Sequence, residues 1–150
     1  MGELGSQFEN ALDSFVRQFG FEKGTYILRR LIKQSSINVD GKKLREIVIA
    51  FVINETARVC GLSEEEVLHG TSRSHAEARW MAMHLIKFYT KASYPELGKF
   101  FDKTKRAVMY AVTKCREMLE VPKFERRFNE RYQIAEKNLI AYITKIKRDG

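Results

Sequence analysis

The fold is decided by the stretch from Ser93 to Leu119, which reads SYPELGKFFDKTKRAVMYAVTKCREML. A Ser at its start with Glu96 three residues later is a capping box, which marks the beginning of a helix. The segment Asp102-Lys103-Thr104 then makes a break that is too short for a loop, and a longer helix runs on to about Glu120. A short capped helix, a tight turn and a longer second helix are the outline of a helix-turn-helix.

The second helix of this unit is strongly basic. Between residues 103 and 116 it has no acid, and its cationic side chains are Lys103, Lys105, Arg106, Lys114 and Arg116. Helical periodicity predicts a buried stripe of Val108, Ala111, Val112, Cys115 and Leu119. The face opposite the stripe carries Arg106, Tyr110, Thr113 and Lys114. Cations neutralise phosphates, and Arg also pairs with guanine through two hydrogen bonds. The pattern therefore indicates a DNA-reading helix, and an ordinary helix with a basic solvated face is the alternative.

The rest of the chain also has helical periodicity. Strand alternation and hairpin turns are not evident, so the sequence predicts an all-α, multi-helix domain. The most apolar helix spans about Lys42 to Cys60 and ends at Gly61. Two further capping boxes predict helix starts, Ser63 with Glu66 and Ser74 with Glu77. The helices from Ser74 and Ser93 are expected to bury Met81, Leu85, Phe88, Tyr89, Leu97, Phe100 and Phe101.

Helical additions are expected at both ends of this domain. The predicted parts are an N-terminal helical extension over 1–41, the helix-turn-helix domain over 42–121 and a C-terminal amphipathic helix over 122–150. The extension has an apolar stripe from Phe8 to Phe19 and a helix from about Thr25 to Gln34. The last helix, from about Lys123 to Lys147, has an apolar seam of Phe124, Phe128, Tyr132, Ala135, Leu139, Tyr142 and Ile146. This seam either packs back onto the domain or pairs with a second copy in a homodimer.

Composition limits the class of protein. With 150 residues, 44% hydrophobic residues and a net charge of +8, the chain can bury a core and is attracted to polyanions. Neither a signal peptide nor an apolar run of membrane-spanning length is found, so a cytoplasmic protein without membrane contact is expected. Cys60 and Cys115 lie in apolar helical stretches and are expected to be reduced core residues.

No arrangement of residues indicates catalysis or a cofactor. His69, His75 and His84 have no His or Cys partner at metal-ligand spacing, and no nucleophilic triad or catalytic carboxylate pair stands out. The phosphate-binding pattern Gly-x-x-x-x-Gly-Lys-Ser/Thr is absent. The chain is therefore not expected to be an enzyme or to bind a metal, a cofactor or a nucleotide. Trp80, beside Arg79, is expected to be partly buried rather than stacked on a base.

A longer pattern runs from about Ile47 to Leu119. Its elements are, in order, Glu55-Thr56-Ala57, Gly61-Leu62, Glu65-Glu66-Val67-Leu68, Ser72-Arg73-Ser74, Ala78-Arg79-Trp80-Met81-Ala82-Met83, Tyr89-Thr90 and Ser93-Tyr94-Pro95-Glu96-Leu97-Gly98. In this order and spacing the stretch, about half of the chain, resembles the C-terminal DNA-binding domain of the bacterial replication initiator DnaA. The resemblance implies an all-helical, Trp-repressor-like domain that binds duplex DNA with a helix-turn-helix and a basic loop, here without the initiator's ATPase module.

The resemblance also implies DNA contacts. By position, Arg73 falls in the basic loop and Arg79 matches an arginine that reaches into a minor groove. The segment that touches backbone phosphates corresponds to Thr90, Ser93, Tyr94 and Pro95. The second helix adds Lys103, Thr104, Lys105, Arg106, Tyr110 and Lys114 to this candidate DNA-binding set.

One part of the sequence departs from the family's pattern. The base-reading signature Gly-Arg-Asp-His-Ser/Thr-Thr-Val is replaced by residues 102–108, DKTKRAV, which is one residue shorter. Groove binding is therefore expected, but recognition of the family's usual DNA box is not. Two functions remain: double-stranded DNA binding as a transcriptional regulator or accessory replication factor, and a protein-interaction adaptor that docks an acidic protein partner. The missing signature favours the adaptor, whereas Arg79, Pro95 and the added Lys105 and Arg106 favour DNA.

Overall fold

The computed structural model describes residues 41–149 of the chain. This part is built from α1 Lys42–Cys60, α2 Glu64–His69, α3 Arg73–Tyr89, α4 Tyr94–Phe101, α5 Lys105–Leu119 and α6 Arg126–Asp149. No extended β-strand occurs among residues 41–149. The prediction of an all-α fold is therefore confirmed.

Of the described residues, 41–141 belong to one compact unit, and α6 from Tyr142 onward belongs to a second unit. The apolar stripe from Phe8 to Phe19 and the helix from Thr25 to Gln34 lie outside the described residues, as does all but the last residue of the predicted 1–41 extension. The division into 1–41, 42–121 and 122–150 stays a prediction.

The central helix of the compact unit is α3. It packs against α1, α2 and α5, and every residue from Met81 to Ile86 is buried. From α1, Val48, Ile49 and Val52 add to the same core. Burial of an aliphatic side chain of this size contributes about 1.5–3 kcal/mol. This apolar cluster therefore holds α5 firmly against the middle of the domain.

The ends of α1 and α2 follow the predicted capping signals. α1 ends at Gly61, which adopts a left-handed conformation with φ 68°, where a residue without Cβ is favoured. The Ser63 hydroxyl accepts a hydrogen bond from Glu66 N, and the Glu66 carboxylate accepts one from Ser63 N. This backbone hydrogen bond is the main reason why the pKa of Glu66 is lowered. The capping box at Ser63 is confirmed.

The predicted capping box of Ser74 and Glu77 is wrong. α3 begins two residues earlier, because Ser72 is the N-cap: its hydroxyl accepts from His75 N at 3.2 Å, and His75 Nδ1 accepts from Ser72 N at 3.4 Å. Glu77 instead pairs with the Arg73 guanidinium at 3.2 Å. Histidine therefore supplies the returning acceptor that Glu or Gln supplies in most capping boxes.

The third predicted capping box is half formed. The Ser93 hydroxyl accepts from Glu96 N at 3.2 Å, as predicted for the start of α4. The Glu96 carboxylate does not return to Ser93 but accepts from Arg45 of α1 at 3.3 Å. A long-range ion pair, which sequence spacing does not reveal, thus links the first turn of α4 to α1.

Several residues that were predicted to face the core lie partly or largely in solvent. The buried stripe of α5 consists of Val108, Ala111, Cys115 and Met118, whereas Val112 and Leu119 are only half-buried. In α3 Phe88 is half-buried, and in α4 Phe100 is 38% exposed. The last helix begins at Arg126 rather than near Lys123, since residues 122–125 form turns. Phe124 lies in those turns and is 87% exposed, so it is not part of the seam.

The middle of the predicted α6 seam is buried within the chain, whereas Tyr142 and Ile146 are only half-buried and Ile143 is buried instead. Phe128, Tyr132, Ala135 and Leu139 are buried. The Tyr132 hydroxyl lies 2.7 Å from His84 Nδ1, and the Tyr89 hydroxyl donates to Glu136 at 2.8 Å. These contacts join α6 to α3 and favour the alternative in which the seam packs back onto the domain. A homodimer stays a prediction and would need another face of α6.

Candidate nucleic-acid interface

The turn between α4 and α5 is held by a close backbone approach. Lys103 N donates to Gly98 O at 2.8 Å, and Asp102 ends α4 in a left-handed conformation with φ 53°. A Cβ added to Gly98 would lie 2.4 Å from Lys103 O, which is too close for any real Cβ. Thr104 then caps α5 by accepting from Ala107 N at 3.1 Å. Glycine at position 98 therefore allows the tight helix-turn-helix that the sequence predicted.

The first turn of α5 projects three cations into solvent. Lys103, Lys105 and Arg106 are exposed, and none of them has an ion-pair partner among the described side chains. The N-terminal end of a helix carries partial positive charge and disfavours cations, and α5 has no acidic residue in its first turn. The local electrostatics thus disfavour cations at this end of α5. Such a locally unfavourable arrangement is common at ligand-binding sites. The ligand that such a surface favours is an anion.

Beyond these cations, the exposed face of α5 becomes partly apolar. A shallow depression is lined by Lys105, Arg106, Met109, Tyr110 and Thr113. Met109 is 44% exposed and Tyr110 is 56% exposed. Arg106, Tyr110 and Thr113 were predicted to lie on this face, but Met109 was not. Its spacing of three residues from Arg106 was the available signal.

Lys114 is less available to a ligand than Lys103, Lys105 and Arg106. Its Nζ lies 3.7 Å from the Glu117 carboxylate and 5.6 Å from the centre of the Tyr110 ring. It flanks the apolar part of the face, where its charge is partly compensated.

Arg73, which was predicted to lie in a basic loop, is the first residue of α3 and is linked to the face of α5 through an aromatic pair. The Arg73 guanidinium lies 5.0 Å from the centre of the Trp80 ring, within cation–π range. Trp80 in turn meets Tyr110 edge to face, with the ring centres 6.1 Å apart. Trp80 is half-buried, as predicted. Arg73, whose side chain is 71% exposed, and Tyr110 therefore lie on one continuous surface.

Arg79 is engaged inside the domain. Its guanidinium donates to Val67 O at 3.0 Å and to Gly70 O at 3.1 Å, and burial lowers its pKa. These bonds satisfy carbonyls at the C-terminal end of α2, which lack helical partners. Arg79 thus holds the loop that presents Arg73, and its contact with a minor groove stays a prediction.

The segment before α4 divides into buried and exposed parts. Thr90 is 6% exposed, and its hydroxyl donates to Ile86 O at 2.7 Å and accepts from Ala92 N at 3.1 Å. Ser93 and Pro95 are exposed at the start of α4, and Tyr94 is half-buried beneath Lys87 Nζ, 4.5 Å from the ring centre. Thr90 therefore shapes the segment, and the positions open to a phosphate are those from Ser93 to Pro95. The phosphate contacts themselves stay predictions.

Metal sites, cysteines and membrane-spanning helices were the other features sought among the described residues. No group of three or more His, Cys, Asp or Glu side chains between residues 41 and 148 is placed to hold a metal ion. Cys115 is buried, and burial raises the pKa of the half-buried Cys60 thiol. None of the helices α1 to α6 combines the length and hydrophobicity needed to cross a membrane.

The comparison with known families locates this surface within one domain. Residues 49–115 match the family model described as "Bacterial dnaA protein helix-turn-helix". The match begins within α1, contains α2, α3 and α4, and ends in α5 at Cys115. It includes every residue of the predicted DNA-binding set.

Proposed function

From the premise that residues 49–115 form a bacterial DnaA helix-turn-helix domain, which is a DNA-binding domain, we propose that this chain binds the major groove of double-stranded DNA through the exposed face of α5. The observation that carries this proposal is the group of Lys103, Lys105 and Arg106. These three cations have no ion-pair partner in the described part of the chain and lie at a helix end that disfavours them. Duplex DNA supplies the missing negative charge.

The geometry supports a division of roles. Lys103 and Lys105 flank the helix-turn-helix turn and are placed to neutralise phosphates. Arg106, one position further into α5, lines the depression with Met109 and Tyr110 and is placed to reach a base edge, where Arg pairs with guanine. The exposed start of α4 adds the Tyr94 N–H as a phosphate donor, since Pro95 has no N–H and Glu96 N donates to the Ser93 hydroxyl. Arg73 extends the basic surface on the other side of Trp80.

Because the base-reading signature is replaced, we expect the DNA site of this chain to differ from the one that the family recognises. Residues 102–108 have no histidine, and their one acid, Asp102, ends α4, so the adjacent Asp and His that read bases in the family have no counterpart in α5. The biological role that we propose is therefore transcriptional regulation or an accessory function in replication, at sites that differ from the family's usual DNA box.

The test is fluorescence anisotropy of the purified chain with a labelled random-sequence duplex across a salt series. We expect binding at low salt that weakens steeply as salt rises, because phosphate neutralisation releases counterions. Absence of binding at low salt would contradict the proposal. It would favour the adaptor function, in which the same cations dock an acidic protein partner.

A further inference from the structure

We infer that Met109 and Tyr110 form a subsite for the C5-methyl group of thymine, next to a guanine that Arg106 contacts. The inference rests on the proposed function, since it assigns a base preference to the same face of α5. It begins with the exposure of Met109 and Tyr110, which are 44% and 56% exposed and line one depression with Arg106.

The chemistry of the major groove selects the ligand. Base edges in that groove present hydrogen-bond donors and acceptors, and the apolar group among the four standard bases is the thymine methyl. Apart from the Tyr110 hydroxyl, which can hydrogen-bond to a polar group, the thioether and the aromatic ring do not satisfy polar base edges, but they can remove a methyl group from water. The cations at Lys105 and Arg106 bring the duplex to this face by charge complementarity, so the apolar patch meets the groove.

The two apolar side chains differ in mobility. Tyr110 is held by a T-shaped contact with Trp80, with ring centres 6.1 Å apart, and by Lys114 Nζ, which lies 5.6 Å from the ring centre. Met109 is unbranched and adapts its shape to the surface that it meets. In this subsite the Tyr110 ring would stay in place, and the Met109 side chain would adjust to pack against the methyl group.

Helical spacing fixes the distance between the two base contacts. Arg106 and Met109 are three residues apart, and side chains at this separation start about 5–6 Å from each other. Stacked bases rise about 3.4 Å per step. The guanine contacted by Arg106 and the thymine contacted by Met109 are therefore one or two base pairs apart.

The experiment removes the methyl group and nothing else. A duplex is first selected from a random pool, and each thymine in it is then replaced singly by deoxyuridine, which keeps the hydrogen-bonding pattern. We expect one or two replacements, within two base pairs of a guanine, to weaken binding about three- to fivefold, the effect of one buried methyl group. In the Met109→Ala variant the same duplexes should bind equally well with thymine or deoxyuridine.

Two controls keep the outcome interpretable. Ile134→Ala removes an apolar side chain that is 49% exposed on α6 and does not line the depression, so it should retain the sensitivity to deoxyuridine. Met109→Gln keeps the length of the side chain but makes it polar, and it should lose that sensitivity even if Met109→Ala proves unstable.

The possible failures are distinguishable. Sequence-selective, salt-dependent binding without any sensitive thymine would overturn the methyl subsite and leave DNA binding intact. Selection that yields no preferred sequence would do the same. Absence of binding to any duplex would overturn both the subsite and the proposed function.

Discussion

Trp80 and Tyr110 form a T-shaped aromatic pair, with ring centres 6.1 Å apart and ring planes at 77°. Trp80 belongs to α3 and Tyr110 to α5, and the Arg73 guanidinium lies against the same indole at 5.0 Å. Edge-to-face aromatic pairs contribute about 0.5–1.5 kcal/mol beyond the area that they bury. Arg73 at the start of α3 and Tyr110 of α5 are thus linked through one side chain, and we expect them to meet DNA as a single unit.

Gly98→Ala is expected to destabilise the domain. The new Cβ would lie 2.4 Å from Lys103 O, so the backbone of the turn must move, at a cost of about 1–3 kcal/mol. Thermal unfolding followed by circular dichroism measures this loss. Lys99→Ala, at the exposed neighbouring position, should leave the melting temperature nearly unchanged. Equal melting temperatures for the Gly98 variant and the wild type would show that the turn is looser than described.

Arg79→Met is expected to lower the stability of the domain, and not only its affinity for DNA. It removes the donors to Val67 O and Gly70 O, and losing hydrogen bonds from a charged group costs about 1.5–3 kcal/mol. Arg73→Ala, which removes an exposed arginine from the same region, should change stability by about 0.5 kcal/mol or less. Chemical denaturation of both variants makes the comparison. Full stability of Arg79→Met together with weakened DNA binding would instead support a direct minor-groove contact.

Glu55 is expected to make stability depend on acid pH. Burial acts to raise its pKa, but hydrogen bonds from Arg58 and Asn138 and the charge of Arg58 outweigh this effect and lower it. A carboxyl group with a lowered folded-state pKa stabilises the fold above its unfolded value, about 4.3, and loses that contribution as pH falls through the folded value. Glu55→Gln should therefore be less stable than wild type near neutral pH, and the difference should shrink in acid.

Melting temperatures of the two proteins between about pH 3 and pH 7 test this linkage. The partner distances, 2.5 Å from Arg58 and 2.6 Å from Asn138, explain why the carboxylate form is favoured. A stability difference that stays constant over the whole range would show that the charge of Glu55 does not contribute.

Lys103→Ala combined with Lys105→Ala should reduce the salt dependence of DNA binding. Each phosphate contact contributes about 0.9 to the slope of log affinity against log salt concentration, so the slope should fall by about 2. Lys123→Ala with Lys137→Ala removes the same charge from exposed positions outside α5 and serves as the control. Equal slopes for the two double variants would mean that only net charge matters.

Local signals predicted much of this fold. The helix Lys42–Cys60 was predicted correctly because Gly61 ends it through its own backbone conformation. The start of α2 was predicted correctly because Ser63 and Glu66 form the capping box between themselves. The helix-turn-helix was predicted from the capping signal of Ser93 with Glu96 and from the short break Asp102-Lys103-Thr104, which are local signals as well. Such signals act within a few residues and do not depend on the rest of the molecule.

The errors arose where distant residues compete for a side chain. Ser72 and Ser74 are each followed, three residues later, by a side chain that can accept a hydrogen bond. Glu77, the acceptor for Ser74, forms an ion pair with Arg73 instead. Glu96 is taken by Arg45, which lies 51 residues away. The engagement of Arg79 with the α2 carbonyls likewise depends on the path of a loop. The phase of α5, with Met118 buried instead of Leu119, is set by the packing of α5 on α3.

The measurement that most directly tests DNA binding by α5 compares two arginine variants on a selected duplex. Arg106→Ala should weaken binding by about 1–3 kcal/mol, roughly five- to 150-fold, with an unchanged melting temperature. Arg127→Ala removes the same charge from an exposed position at the start of α6 and should change the affinity by about twofold or less. Equal affinities for the two variants would contradict the assignment of α5 as the DNA-binding helix.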